Sequence, residues 1–285
     1  MESRPLRYFV AVAEELNFAR AAERLGISAP PLSRAIRKLE TELGVALFER
    51  STHSVTLTAA GAELLAEARI ALDALQAAQR RAQRAGSADP KLVLAIKADG
   101  HAGMLDAILA RYEADPAARP VAIRLCEWGE QPQLLRRGEA DVALVHEPFD
   151  RTGLDAEPLI AEPRIAALPA THPLAARETV TLAQLGLAAE PVHPTAFRRH
   201  LTPAARAHRV RDLSQVLTLV ELGELIQVLP ESVAARYSRP GIAYRPVPDA
   251  PPLTLAIAWP QQSRSRATAA LVRAATSADG VVRTP

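Results

Sequence analysis

Residues 17–50 read NFARAAERLGISAPPLSRAIRKLETELGVALFER, and the apolar spacing in this stretch predicts two short helices, a tight turn between them and the start of a wing. In the second helix Leu32, Ile36, Leu39 and Leu43 recur at steps of four, three and four. All four therefore fall on one stripe of the helix and are expected to face a core. Pro30, Arg34, Arg37, Lys38 and Thr41 take the opposite side, which makes the outer face cationic and rich in donors, suited to phosphates and base edges. Ser28 stands where an N-cap belongs, and Pro30 and Pro31 fall in the first turn, where a missing amide costs nothing. Upstream, Ala21, Ala22 and Leu25 mark a short apolar helix ending at Gly26, and Leu6, Phe9, Val10, Ala13 and Leu16 an amphipathic helix that closes a three-helix core. Charge alone leaves two readings open, a DNA reader or a small bundle with a solvated basic side.

The combination of residues is more specific than the charge. The strings NFARAAERL (17–25), ISAPPLSRAIRKLE (27–40), LGVALFER (43–50) and LTAAG (57–61) resemble the winged helix-turn-helix of the LysR-type transcriptional regulators over about the first 65 positions. The resemblance implies that the helix from about Ala29 to Leu43 enters the major groove of double-stranded DNA, with Ser33 and Arg34 at the usual contact positions. Ser28, Ala29, Pro30, Arg37 and Lys38 surround them, and Arg50 and His53 belong to the wing. The chain departs from the family at Ala29, where a base-reading glutamine is common, and in the turn Ser51, Thr52, His53, Ser54, where arginines are common. Less direct base readout is expected.

A chain of 285 residues is too long for one such module and leaves about 200 residues for further cores. The formal net charge of +2 means that affinity for nucleic acid must come from a local patch, which is Arg34 to Lys38. A single cysteine, Cys126, excludes an internal disulfide and fits a reducing, cytoplasmic setting. Ending the apolar string VAIRLC, it reads as a buried small hydrophobe. The amino terminus has no apolar signal core and no run of about 18 apolar residues occurs, so no membrane association is expected. The histidines show no tight ligand pairs, and no metal and no cofactor are expected beyond a small-molecule effector.

From Thr58 to about Gly86 there is no proline, and Leu65, Ala68, Leu72, Leu75, Gln79 and Ala82 alternate three- and four-residue steps. This pattern is a coiled-coil seam on a helix of roughly 40 Å. Its cover is either a second copy of the chain or the helix's own domain. The family resemblance implies dimerisation here, a homodimer or a homotetramer built of two dimers. Gly86 to Pro90 then stop the helix and form a hinge.

After the hinge, KLVLAIK, MLDAILARYEA, VAIRLC, PQLLRRG and ADVALVH alternate strand and helix, which predicts a largely parallel sheet covered by helices. A second unit follows: the strand RIAALP, helices TLAQL and DLSQVLTLVELG, the strand LIQVLP, the helix ESVAARY and returning strands IAYRPV and LTLAIAW. A last helix begins near Ser265. Two lobes with two crossings resemble the effector domain of the same family, itself similar to the periplasmic binding-protein fold.

The expected organisation is multidomain: an all-α winged helix-turn-helix head (1–60), a linker helix (58–87) and an effector-binding α/β domain (91–285) of two Rossmann-like lobes. Lobe I takes about 91–161 and 258–285, lobe II about 162–257.

Ligands of open α/β sheets lie beyond the carboxyl ends of the strands. Those loops carry Lys97, Asp99, Gly100 and His101, then Trp128 and Glu130, then His146 and Phe149, with His193 at a crossing. By the resemblance these line an effector cleft. The family commonly has serine or threonine at the place of Asp99. A carboxylate there is expected either to cap the following helix or to touch the ligand. Unless Lys97 or His101 neutralises it, it favours a cationic, zwitterionic or neutral effector. The basic run Phe197 to Arg211 reads as a solvated connector, or as a surface facing another subunit or DNA. No G-x-S-x-G elbow, phosphate loop or metal cluster supports an enzyme. The expected function is sequence-specific, effector-controlled regulation of transcription, with RNA polymerase as a further partner. The alternative is a constitutive regulator whose lobes serve assembly only.

Overall fold

The structure is a computed structural model that describes residues 2–50, 54–187, 210 and 212–277. Two compact units result, Met1–Gln83 and Arg84–Pro285. His53, His193 and the basic run at 197–211, apart from Val210, lie outside the described residues.

The first unit contains α1 (Ser3–Glu15), α2 (Phe18–Arg24), α3 (Ala29–Leu43), the hairpin β1 (Phe48–Arg50) and β2 (Val55–Leu57), and α4 (Ala59–Ala85). Leu32, Ile36 and Leu39 of α3 are buried together with Phe9, Val12, Leu47 and Phe48. The Phe48 ring has its centroid 5.4 Å from that of Phe9 and 6.0 Å from that of Phe18, which ties the wing to α1 and α2.

Two residues expected inside are not. Leu43 is 40% exposed, because α3 ends one residue later at Gly44, whose left-handed φ of 72° turns the chain away. Leu16 is 45% exposed and is itself the left-handed cap of α1.

The expected cap at Ser28 also differs. Ser28 holds the N-cap position but makes no side-chain capping bond. An N-cap oxygen accepts from the second or third helical amide, and here those residues are Pro30 and Pro31, which have none. Asn17 is the true side-chain cap, its Oδ1 accepting from Ala19 N at 2.9 Å and Arg20 N at 3.1 Å.

The seam on α4 is divided. Leu64, Leu65, Ala68 and Leu72 pack into the core of the first unit, so this half of the helix is covered by its own domain. Farther along, Leu75 is 52% exposed and Gln79 and Ala82 are exposed. At the start of α4, Gly61 passes so close to the wing that an added Cβ would lie 2.1 Å from the Leu47 carbonyl oxygen. The obstacle is backbone, so Gly61→Ala is expected to cost about 3 kcal/mol, the upper end of ordinary overpacking. Urea midpoints of variant and parent check this, and equal midpoints would show that α4 can shift at no cost.

The second unit has two lobes. In the first, β3 (Leu92–Lys97), β4 (Val121–Cys126) and β5 (Val142–His146) are parallel, and β6 (Leu154–Glu162) and β10 (Leu253–Pro260) add an antiparallel edge in the order β4-β3-β5-β10-β6. α5 (Leu105–Glu113), α6 (Gln131–Arg136) and α9 (Arg266–Thr276) cover this sheet, and Ser265 caps α9. In the second lobe, β7 (Arg164–Pro169) lies between β8 (Gln227–Pro230) and β9 (Ile242–Pro246), both antiparallel to it, with α7 (Leu213–Glu221) and α8 (Ser232–Arg236).

Three expectations change. The described strands of the second lobe are antiparallel, not parallel. LTLAIAW belongs to the first lobe's sheet, so the chain returns there by Leu253 rather than at 258. TLAQL forms turns, not a helix. β6 was also hidden by its Asp155, Glu157 and Pro158, which break the usual strand pattern. The chain crosses at Pro163 and again before β10. Among the described residues no helix is long and apolar enough to cross a membrane.

Candidate DNA interface and effector cavity

On α3 the side chains of Arg34, Arg37 and Lys38 are exposed on one face, with Ser28 and Pro30 exposed at its start and Ala29 and Ser33 half-buried. Arg34 and Arg37 make no ion pair among the described residues. Lys38 pairs with Glu42 at 3.7 Å, an exposed contact worth little in water. The result is a solvated cationic rim over an apolar base.

Arg50 is held differently. Its guanidinium pairs with Glu40 Oε2 at 3.0 Å and lies 4.8 Å from the centre of the Phe18 ring. Glu40 Oε1 meanwhile accepts from Leu47 N at 3.0 Å and Phe48 N at 3.3 Å. This carboxylate fastens the wing to α3, and any phosphate reaching Arg50 must compete with it.

Between the lobes of the second unit lies a cavity of about 270 Å³. The first lobe contributes Lys97, Trp128, His146 and Phe149, and the second Arg164, Gln227, Val216 and Leu229. Lys97 is the last residue of β3 and His146 the last of β5, so the parallel pairing of these strands delivers both side chains to the same end of the sheet. Lys97 Nζ stands 4.8 Å from the centre of the Trp128 ring. Burial pulls the Lys97 ammonium down to about 8, against the opposing fields of Asp99 and Cys126. Burial likewise drives the His146 imidazole down to about 4, reinforced by the cations Lys97 and Arg164. At neutral pH His146 is therefore uncharged.

Arg164 is 7% exposed. One guanidinium nitrogen donates to Val228 O at 3.3 Å, and Nε has no partner. Gln131 Oε1, Gln227 Oε1 and His146 Nε2 are also buried without a partner. Buried polar atoms are nearly always bonded. The four residues that carry these unmet atoms all line the same cavity.

The other sequence candidates divide. Asp99 lines the cavity but does not cap a helix. It adopts a left-handed φ of 59°, and α5 begins only at Leu105, with Met104 in the cap position. Its carboxylate accepts from the Tyr237 hydroxyl and faces Arg236 Nε at 3.6 Å. Arg236 of α8 thus pairs directly with Asp99, while Lys97 and His101 also feel its field, and the argument for a cationic, zwitterionic or neutral effector loses its basis.

His101 contacts Arg236 Nη1 through Nε2 at 3.1 Å. Since arginine only donates, that nitrogen must accept and the ring is neutral, in keeping with its lowered pKa from burial and then Arg236. Tyr237 is pushed up to about 12 by burial and by its bond to Asp99. His101, Gly100 and Glu130 are not among the lining residues. Gly100 is folded into the turn after β3, donating to Lys97 O at 3.0 Å, and Glu130 Oε2 accepts from Glu127 N at 2.7 Å. Trp128, His146 and Phe149 all line the cavity.

Sequence reasoning missed Arg164, Gln131 and Gln227. Arg164 opens the apolar strand β7 and Gln227 opens β8, a position that carries no sign of burial in the sequence. Cys126 is half-buried and its thiol is pushed up to about 11, chiefly by burial and then Glu130, the opposite of a reactive thiolate. No group of residues suited to a metal occurs among those described.

Comparison with known proteins agrees with this division. The family model for the "Bacterial regulatory helix-turn-helix protein, lysR family" matches residues 3–62, and that for the "LysR substrate binding domain" matches residues 85–279. The "Hca operon transcriptional activator HcaR" of Escherichia coli (strain K12) is 32% identical over 276 residues, covering 91% of this chain and 92% of that protein. The "HTH-type transcriptional regulator BudR" of Raoultella terrigena is 34% identical over 285 residues, covering 93% and 97%. Among solved structures, full-length CbnR complexed with its target DNA is 27% identical with a TM-score of 0.56, covering 96% of this chain and 99% of that one.

Proposed function

The chain belongs to the LysR-type family of bacterial transcriptional regulators, and from that membership we propose that it reads DNA through the outer face of α3 as a homodimer or homotetramer, with an effector in the interlobe cavity setting the response. Members of this family bind DNA and small-molecule effectors, form oligomers and are not enzymes. RNA polymerase is the partner such a regulator would address at a promoter, in the cytoplasm.

The observation that carries the DNA reading is the solvated rim of Arg34 and Arg37 on a helix whose opposite face buries Leu32, Ile36 and Leu39. Arg34→Ala is expected to weaken binding to the operator by about 1 to 3 kcal/mol if the guanidinium reaches a base edge, roughly 5- to 150-fold. Titrations against operator and unrelated duplexes decide the matter. A uniform loss on both would leave Arg34 as a phosphate contact only, and no loss would remove it from the interface.

Effector control rather than constitutive binding is favoured by the interlobe cavity itself, lined by apolar side chains and by the polar residues Lys97, His146, Arg164 and Gln227. An effector acts by binding one arrangement of the lobes better than another. Val216→Trp, which fills the cavity, should leave the operator footprint in place but abolish its response to metabolite fractions of the cell. A parent protein whose footprint ignores every fraction would favour the constitutive reading.

A further inference from the structure

We propose that Asp99 and His101 of the first lobe and Arg236 and Tyr237 of the second form a clasp that holds the lobes together without any ligand, so that the response of this chain begins with the release of a standing contact. The proposal rests on the reading that the arrangement of the lobes sets the DNA response, and adds the contact that fixes their resting arrangement.

The clasp joins the turn after β3 to the end of α8. The Tyr237 hydroxyl donates to Asp99 Oδ2, Arg236 Nε faces Asp99 Oδ1 at 3.6 Å, and Arg236 Nη1 donates to His101 Nε2 at 3.1 Å. A hydroxyl bonded to a carboxylate is the strong member of this set, and the half-exposed Arg236 pair adds less. The second-lobe side is firmly seated. Tyr237 packs against that lobe's apolar cluster. The start of α8 is held by Glu162 Oε2, which accepts from Ser232 N at 3.1 Å, and by Pro163 O, which accepts from Glu231 N at 3.0 Å. α8 therefore runs from the crossing at Pro163 to the clasp, and rotation of the lobes about that crossing pulls on these bonds.

The turn on the first-lobe side is held in a costly backbone conformation. Asp99 has a φ of 59°, Ala102 of 50° and Gly103 of 75°. Glycine and aspartate tolerate this left-handed region, whereas alanine has no polar side chain to offset its cost. Such a conformation persists only where its surroundings impose it, and it is typical of switch segments. Release of the clasp lets the turn relax, which favours a second arrangement of the lobes. Trp128 of the first lobe also reaches the second lobe's cluster, but an apolar contact is non-directional and can slide where the clasp cannot.

Spin labels on Glu113→Cys in α5 and Glu178→Cys beyond β7, both exposed positions, report the distance between the lobes in full-length Cys126→Ser protein diluted with unlabelled chain. The parent should give one narrow distribution. Tyr237→Phe, alone and combined with Arg236→Gln, leaves the lining of the large cavity untouched. These variants should raise the ratio of open to closed lobes by about 10- to 100-fold, the loss expected for hydrogen bonds to a charged group. The open form should appear as a second distance differing by more than about 2 Å. Tyr112→Phe, which removes a hydroxyl that accepts from Arg119 N within the first lobe, is the control and should leave the distance as it is. On the operator, the clasp variants should alter the footprint with no small molecule added.

A double variant that keeps the parent distribution, or a control that broadens it equally, overturns the clasp and leaves the reading of the lobes intact. Lobes that open while the footprint stays unchanged overturn the regulatory role of the clasp together with the reading beneath it.

Discussion

The double variant Ile70→Glu, Leu75→Glu is expected to be monomeric and to lose about 10²- to 10⁴-fold in operator affinity, the range by which a second linked binding unit raises avidity. The first half of the long helix serves its own domain, with Leu65, Ala68 and Leu72 packed into the head. Beyond that core Ile70 and Leu75 remain 48% and 52% exposed. Large apolar side chains standing half out of water on a helix of 27 residues call for a covering surface, and a second copy of the chain provides one that also brings two heads to a two-fold DNA site. Neither residue belongs to the packed head, so the variant should keep its fold. Sedimentation gives the oligomeric state and operator titration the affinity. A dimer that persists places the pairing surface elsewhere, and a monomer with undiminished affinity means that one head suffices.

The second large effect is in acid. In the unfolded chain the imidazole of His146 takes a proton near its ordinary 6.5, and in the fold only near 4, because burial and two neighbouring cations resist the charge. Between these values the unfolded state binds the proton and the folded state does not. Stability is therefore full above the unfolded value and falls as pH drops toward 4. The shift amounts to roughly 3 kcal/mol at its full extent. His101, whose pKa is lowered in the same direction, adds a slope of its own, as do carboxylates near the bottom of the range. Comparison of the parent with His146→Gln cancels these, and the parent should lose roughly 3 kcal/mol more between neutral pH and pH 4 in urea titrations. Parallel curves would mean that His146 charges freely and that the cavity floor is wetter than its burial indicates.

Much of the head was legible because a helix repeats. The spacing of Leu32, Ile36 and Leu39 places them under the core and Arg34, Arg37 and Lys38 in solvent, as observed. The misreadings there are local. Ser28 could have been seen to lack a target, since the two residues it would cap are prolines, and Asn17 before an apolar helix carried the signal of a true cap.

The cavity was half legible. Strand ends lead to Lys97, Trp128, His146 and Phe149 by position alone. Arg164 was not found because an arginine opening an apolar strand gives no hint of its burial, which is decided by packing between lobes distant in sequence. The partnership of Asp99 with Tyr237, 138 residues away, is of the same kind. It removes the premise on which the sequence reading of the effector's charge rested.

The account stands or falls on duplex recognition by a paired, effector-responsive chain. Footprinting of the purified protein on the DNA adjoining its own coding sequence tests this most directly. Protection of a near-palindromic site, lost steeply as salt rises and altered in extent by a bound small molecule, is the predicted result. Equal affinity for that fragment and for unrelated duplex at low ionic strength, unchanged by any added metabolite, would contradict it.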